Sequence, residues 1–255
     1  MSMKIVKVLA LLLLCNLANA MDGVFDRSEE VNRYVGMLGS SVGPLELIDV
    51  SKQIYVSGIS DARLAKAIAE RLMKDLPKIT IGQSDNIQYG AWMVKALAAT
   101  GDPSAKEVIS EVIKTTKAPR IRSEAEEQIN EIEWHHRANE VMASRKNFNE
   151  GDDMRVAMLL NELQSDDFSL KQDAAYRMSW DKILDPKLMV EIAKQVQTYV
   201  DNGKHTDNKA EMVVMSHYVK MLGYSGNAEY KPLIRKLLGT PYLIDRQVHI
   251  ALKRL

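Results

Sequence analysis

Apolar residues recur at every third or fourth position along most of this chain. Leu64, Ala65, Ile68, Leu72 and Leu76 form one such stripe, and Leu188, Ile192, Val196 and Val200 another. This is the period of a helix with one buried face. Asp61 and Asp185 stand where an N-cap belongs, and Pro186 follows at the first helical position. Gly101-Asp102-Pro103 and Gly226-Asn227 each read as a helix stopping at Gly and the next starting from an Asp or Asn cap. The pattern predicts twelve helices, over roughly 26–38, 45–57, 62–76, 85–99, 103–115, 121–147, 153–164, 169–179, 186–201, 208–223, 228–238 and 243–254. No segment alternates as a strand does. Lys78 to Ile81 comes nearest and is too short. Helices of this length joined by turns of a few residues form antiparallel hairpins.

The hairpins recur. Val94-Lys95-Ala96-Leu97, followed by Gly101-Asp102, matches Val219-Lys220-Met221-Leu222, followed by Gly226-Asn227, at an offset of 125 (94 to 219). Asp61-Ala62-Arg63-Leu64 matches Asp185-Pro186-Lys187-Leu188 at an offset of 124 (61 to 185). The offset changes between 77 and 88, where Pro77 and Gly82 mark a loop that absorbs an insertion. Apolar positions align while charges drift, as two copies of one buried face would. The expected layout is two related halves, about 44–120 and 153–255, joined by one long polar helix about 121–147.

Several stretches resemble HEAT or HEAT-like repeats, here of an exported bacterial type. They are Val156 through Asp166-Asp167, Ala174 to Arg177 and Asp185 to Leu188. The same elements return at Leu222 through Gly226-Asn227, Pro232 to Ile234 and Ile244 to Leu252, and at Leu97 through Pro103 and Val108-Ile109. The resemblance covers about two thirds of the expected mature chain, from about 44 to 255, and implies an all-α fold, an α-solenoid of stacked antiparallel helix pairs. The motifs encode packing and not chemistry, and Ser123 to Asn147 fits them poorly. The resemblance also implies a curved surface of the kind such proteins use to bind other proteins.

The first twenty residues read as a cleavable signal peptide. Lys4 and Lys7 precede an apolar run from Val8 to Cys15, and Ala18-Asn19-Ala20 is a small-x-small cleavage site. The run is too short to span a bilayer, which takes about 20 apolar residues. Leu14 stands before Cys15 where a lipoprotein signal carries a small residue, which argues against lipidation. The expected mature domain is 21–255, periplasmic or secreted. Cys15 is the one cysteine, so that domain has no disulfide, thiol nucleophile or thiolate metal site.

Charge narrows the partners. The chain has 34 basic and 34 acidic side chains; without Lys4 and Lys7 the balance is 32 to 34. A nucleic-acid binder carries a basic excess, so nucleic acid is not expected. The sharpest candidate for chemistry is Glu131 to Glu140. Glu131 and His135, and His136 and Glu140, are i, i+4 neighbours that suit a metal. His135 and His136, however, point about 100° apart on a helix. The blander reading is a charged face with Trp134 at an interface. Lys114, Lys117, Arg120 and Arg122 form a basic run at a helix end, explained by the helix dipole or by docking of an acidic partner. His205 sits in a polar loop whose acids lack calcium-loop spacing. His217 reads as a largely buried helix residue, and the methionines of the second copy as core filler.

With no phosphate loop and no nucleophile set, the sequence reads as a non-enzymatic scaffold with no cofactor, binding a protein or peptide partner through its solenoid surface. Trp134, His135, His136, Lys114, Lys117, Arg120 and Arg122 are the candidate partner-binding residues. The alternative is an envelope metal-binding or enzymatic protein using the Glu131 to Glu140 helix.

Overall fold

The computed structural model describes residues 23–79, 84–203 and 207–255. The predicted signal peptide, Cys15 and His205 therefore lie outside the described residues. The fold is all-α, built of stacked antiparallel helix pairs, with no β-strand among the described residues. The chain forms two compact units, Val24–Ala143 and a second that holds Ser144–Leu255.

The first unit contains α1 (Ser28–Gly39), α2 (Pro44–Ser57), α3 (Ala62–Asp75), α4 (Ser84–Ala99), α5 (Ala105–Thr115), α6 (Pro119–Gln128) and α7 (Ile132–Ala143). Two rows stack, α1 on α3 on α5 and α2 on α4 on α6. Tyr34, Leu47, Leu64, Leu72, Leu97 and Ile109 are buried between the rows. Asp61 caps its helix as the sequence predicts, whereas the predicted Asp102 cap is replaced by Ser104 at the start of α5. The Asp61 carboxylate accepts from the N–H groups of Arg63 and Leu64, satisfying donors that an open helix end leaves exposed.

The second unit repeats the plan with α8 (Met154–Leu163), α9 (Phe168–Asp181), α10 (Pro186–Asp201), α11 (Lys209–Tyr224), α12 (Lys231–Arg235) and α13 (Tyr242–Arg254). Here α8, α10 and α12 form one row and α9, α11 and α13 the other. Asp185 caps α10 through the Lys187 N–H, and Pro186 occupies the first turn. Met158, Met178, Met189, Met215 and Met221 are buried, as core filler should be. The close approach of α11 and α13 depends on Gly223. A Cβ there would stand 2.7 Å from the Ala251 Cβ and 2.8 Å from its Cα.

Two stretches differ from the sequence reading. Residues 121–147 hold two helices, α6 and α7, and not one. Ile121, Ala125, Gln128, Ile132, His135 and Met142 keep helical spacing across the break, so periodicity alone cannot see it. Asn130 causes it. Its amide donates to the Glu126 carbonyl at 3.0 Å, a bond that competes with the helical ladder. The backbone tightens there, with Asn130 N–H bonded to Glu127 O and Glu131 N–H to Gln128 O. The predicted helix 228–238 is instead a 3₁₀ turn, Ala228–Tyr230, followed by the short α12, in which Pro232 lacks a backbone donor.

Candidate functional site

Helix α7 has no counterpart among the described residues of the second unit, and its role in the first is specific. It packs on α4. The Asn139 side chain donates to the carbonyls of Ala99 (2.8 Å) and Thr100 (3.1 Å), closing the C-terminal end of α4. The α7 backbone presses on Gly101, whose φ of +65° makes the turn. A Cβ at Gly101 would lie 2.6 Å from His136 N and Cα. In the matching turn of the second unit, Gly226 has φ +66° and nothing within 4 Å of such a Cβ.

This placement separates the residues of the Glu131 to Glu140 stretch. His135 is 7% exposed and lies edge-on to Tyr55 (5.7 Å between ring centroids) and to Trp134 (5.0 Å). Burial pushes its pKa down to about 4, which keeps it neutral. His136 is exposed and faces Glu140 at 3.6 Å. Glu131 is exposed. Among the described residues no three His, Cys, Asp or Glu side chains gather as a metal set. The structure thus brings His135 to the Tyr55 ring, sets Trp134 edge-on to His135 and leaves His136 outside. The basic run does not converge either. Lys114 lies 3.8 Å from Glu111, Arg122 donates to the Thr116 carbonyl at 2.9 Å, and Lys117 and Arg120 are exposed.

A richer constellation lies at the C-terminal ends of α9, α11 and α13. Tyr176 and Trp180, one turn apart on α9, stack with ring planes 23° apart and centroids at 6.3 Å. They are 53% and 75% exposed, unusual for such large apolar surfaces. Tyr224 ends α11. The Arg254 guanidinium of α13 lies 4.2 Å from the Tyr224 ring centroid and the Lys220 ammonium 5.5 Å from it. The hydrogen bond that Arg254 donates, together with the charges of Lys220 and Lys182, holds the Tyr224 phenol below its usual pKa.

Lys182 is the C-cap of α9 and has φ 54°, a left-handed conformation that costs a residue with a side chain roughly 1 kcal/mol or more. Its partner position in the first unit, at the offset of 124, is Gly58, the C-cap of α2, with φ 67°. Glycine is the unstrained solution at this cap. The second unit carries a lysine there instead, within electrostatic reach of Tyr224. None of the ion pairs among the described residues involves Lys182, Lys220 or Arg254. The result is three cations around one phenol, beside an exposed aromatic pair. Sequence reading missed this group because its members come from three helices, although Lys220 lay inside the matched stretch.

A partly buried polar network centred on Glu162 and Glu191 links α8, α9 and α10. Arg177 pairs with Glu162 and with Asp173 (2.9 Å). Glu191 accepts from Gln164 (3.2 Å) and Gln195 (2.8 Å). Burial pushes the Glu162 carboxyl up to about 8, against the pull of Arg177. The network ties α8, α9 and α10 together and fixes the α9 register that sets Tyr176 and Trp180 outward.

The class of molecule this defines is an all-helical protein of stacked pairs. No family model and no curated protein matches the chain. Among solved structures it is similar to human deoxyhypusine hydroxylase in complex with glycerol, at 12% identity and a TM-score of 0.34, over 89% of this chain and 96% of that one. That protein is an enzyme, which corrects two expectations. Stacked helix pairs without a sequence motif for catalysis do not make a chain non-enzymatic, so the reading as a non-enzymatic scaffold for a protein or peptide is withdrawn, and the exclusion of enzyme activity with it. At this TM-score the likeness assigns no activity to the chain. No helix among the described residues is long and apolar enough to cross a membrane.

Proposed function

We propose that the protein binds an acidic glycan on the face where α9, α11 and α13 end. Sugar rings lie flat on exposed aromatic faces through their C–H groups, and the Tyr176–Trp180 pair offers two such faces. Carboxylates of the glycan meet Lys182, Lys220 and Arg254. The observation that carries the reading is Lys182. Its strained left-handed cap, where the first unit has Gly58, spends stability to hold a charge in place. The helix pairs are read as HEAT-like repeats. Residues 1–20 are read as a signal peptide that delivers the mature chain, from Met21, to the periplasm or medium, where acidic glycans are met.

The test uses the mature chain on an array of uronate-containing and neutral oligosaccharides, with affinities then measured by calorimetry. Trp180→Ala and Lys220→Glu are each expected to weaken binding of a uronate oligomer at least tenfold. Lys182→Gly separates the roles: it relieves the positive φ, so the unit melts higher, yet binding weakens. A variant as tight as wild type, or an array with no uronate glycan bound, overturns the proposal. Binding to anionic lipid vesicles in place of glycans overturns it too.

A further inference from the structure

Packing does not ask for a phenol at the end of α11. At the offset of 125 the first unit has Ala99 at this place in the repeat, buried at 3% exposure, so a methyl group serves there. The second unit has Tyr224, 40% exposed. It lies one turn after Lys220 on the same helix face, with the Arg254 guanidinium 4.2 Å from its ring centroid. A cation binder needs no hydroxyl at its centre, since three cations already meet a carboxylate. The hydroxyl therefore points to chemistry.

Arg254, which donates a hydrogen bond to it, and the charges of Lys220 and Lys182 all favour the phenolate over the phenol. None of these cations is neutralised by a carboxylate among the ion pairs of the described residues. The other base beside them is His217, one turn before Lys220. Its Nδ1 is buried without a hydrogen-bond partner, so that nitrogen is shut off from a ligand. Tyr224 is open to one.

A uronate residue linked through its O4 carries a proton at C5, beside its carboxylate. That proton comes off only where the charge that builds on the carboxylate is met by fixed cations. We propose that the face formed by Tyr224, Lys220, Arg254 and Lys182 cleaves 4-O-linked uronate glycans by β-elimination, with Tyr224 as the base. The Tyr224 oxygen takes the C5 proton while the three cations hold the carboxylate. The freed electron pair forms the C4–C5 double bond, the C4–O bond breaks, and its electron pair leaves on the glycosidic oxygen. The Tyr224 phenol returns its proton to that oxygen, so the step consumes no water and leaves no net oxidation. This rests on the reading of the face as an acidic-glycan site and adds to it a reaction and a linkage.

The experiment incubates the mature chain with polygalacturonate, alginate and hyaluronate, each of which contains 4-O-linked uronate. The double bond conjugated to a carboxylate absorbs in the ultraviolet where the intact glycans do not, and calorimetry follows binding in parallel. Wild type is expected to release unsaturated product from the glycan that it binds. Tyr224→Phe keeps the ring under Arg254, so it is expected to lose about a hundredfold or more in rate while its affinity stays within about threefold. Tyr242→Phe, an exposed phenol at the opposite end of α13, controls for the loss of a hydroxyl and is expected to keep the wild-type rate. Binding without unsaturated product, or Tyr224→Phe turning over at the wild-type rate, overturns the inference and leaves the binding reading standing. The absence of binding to any uronate glycan overturns both.

Discussion

Helix α7 caps the α4–α5 turn, and a pair of matched glycines tests this. Gly101 and Gly226 hold the same left-handed conformation in the same turn of the two units. Alanine at either site costs roughly 1–2 kcal/mol for that conformation alone. At Gly226 nothing more is lost, because the added methyl meets open space. At Gly101 the methyl would stand 2.6 Å from His136 N and Cα. Backbone cannot swing away as a side chain does, so α7 has to lift. Lifting weakens the two Asn139 bonds to α4, at about 1 kcal/mol each, and the edge-on ring contacts of His135, at about 0.5–1.5 kcal/mol. Gly101→Ala should therefore lose roughly 3.5–5.5 kcal/mol against roughly 1–2 kcal/mol for Gly226→Ala. Urea unfolding followed by tryptophan fluorescence measures both, since Trp92 and Trp134 report on the first unit and Trp180 on the second. Equal losses in the two variants would refute the idea that α7 bears on the turn.

Acidity should act on the two units in opposite senses. His135 is held near pKa 4 by burial, while in the unfolded chain it lies near 6.5, so the unfolded state binds more protons between those values. The first unit should thus lose stability as pH falls from about 6.5 to about 4, by up to about 3 kcal/mol, and His135→Phe should flatten that slope in urea midpoints taken across the range. Glu162 is the reverse case: with its carboxyl raised to about 8, the folded second unit binds the extra proton, and its stability declines as pH rises from about 4.5 toward 8. Glu162→Gln should remove that decline, and an unchanged pH slope for Trp180 unfolding would count against it.

Much of the fold was legible in the pattern of apolar residues and caps, because those encode local structure. Asp61 and Asp185 cap as read, and the Gly101 and Gly226 turns are where the spacing puts them. The break at Asn130 was not legible, since the buried stripe runs through it in phase and the cause is one side-chain bond. The fate of His135 was equally hidden: a helical wheel places it beside Glu131, while packing turns it onto Tyr55. The aromatic and cationic face failed for another reason. Its members lie 78 residues apart in sequence, from Tyr176 to Arg254, and only the stacking of α9, α11 and α13 makes them neighbours. One sign was present, the lysine at 182 where the first copy has a glycine at 58.

The bare turn at Gly226 also has a practical use. Gly226 and Asn227 are exposed, nothing crowds them, and the residues on either side are already capped by their own helices. Extra residues spliced in there would meet solvent and disturb no packed layer. A dye-bearing cysteine or a short epitope grafted at this point would report on the second unit, since residues 21–255 hold no cysteine, whereas the same graft at Gly101 would have to displace a helix.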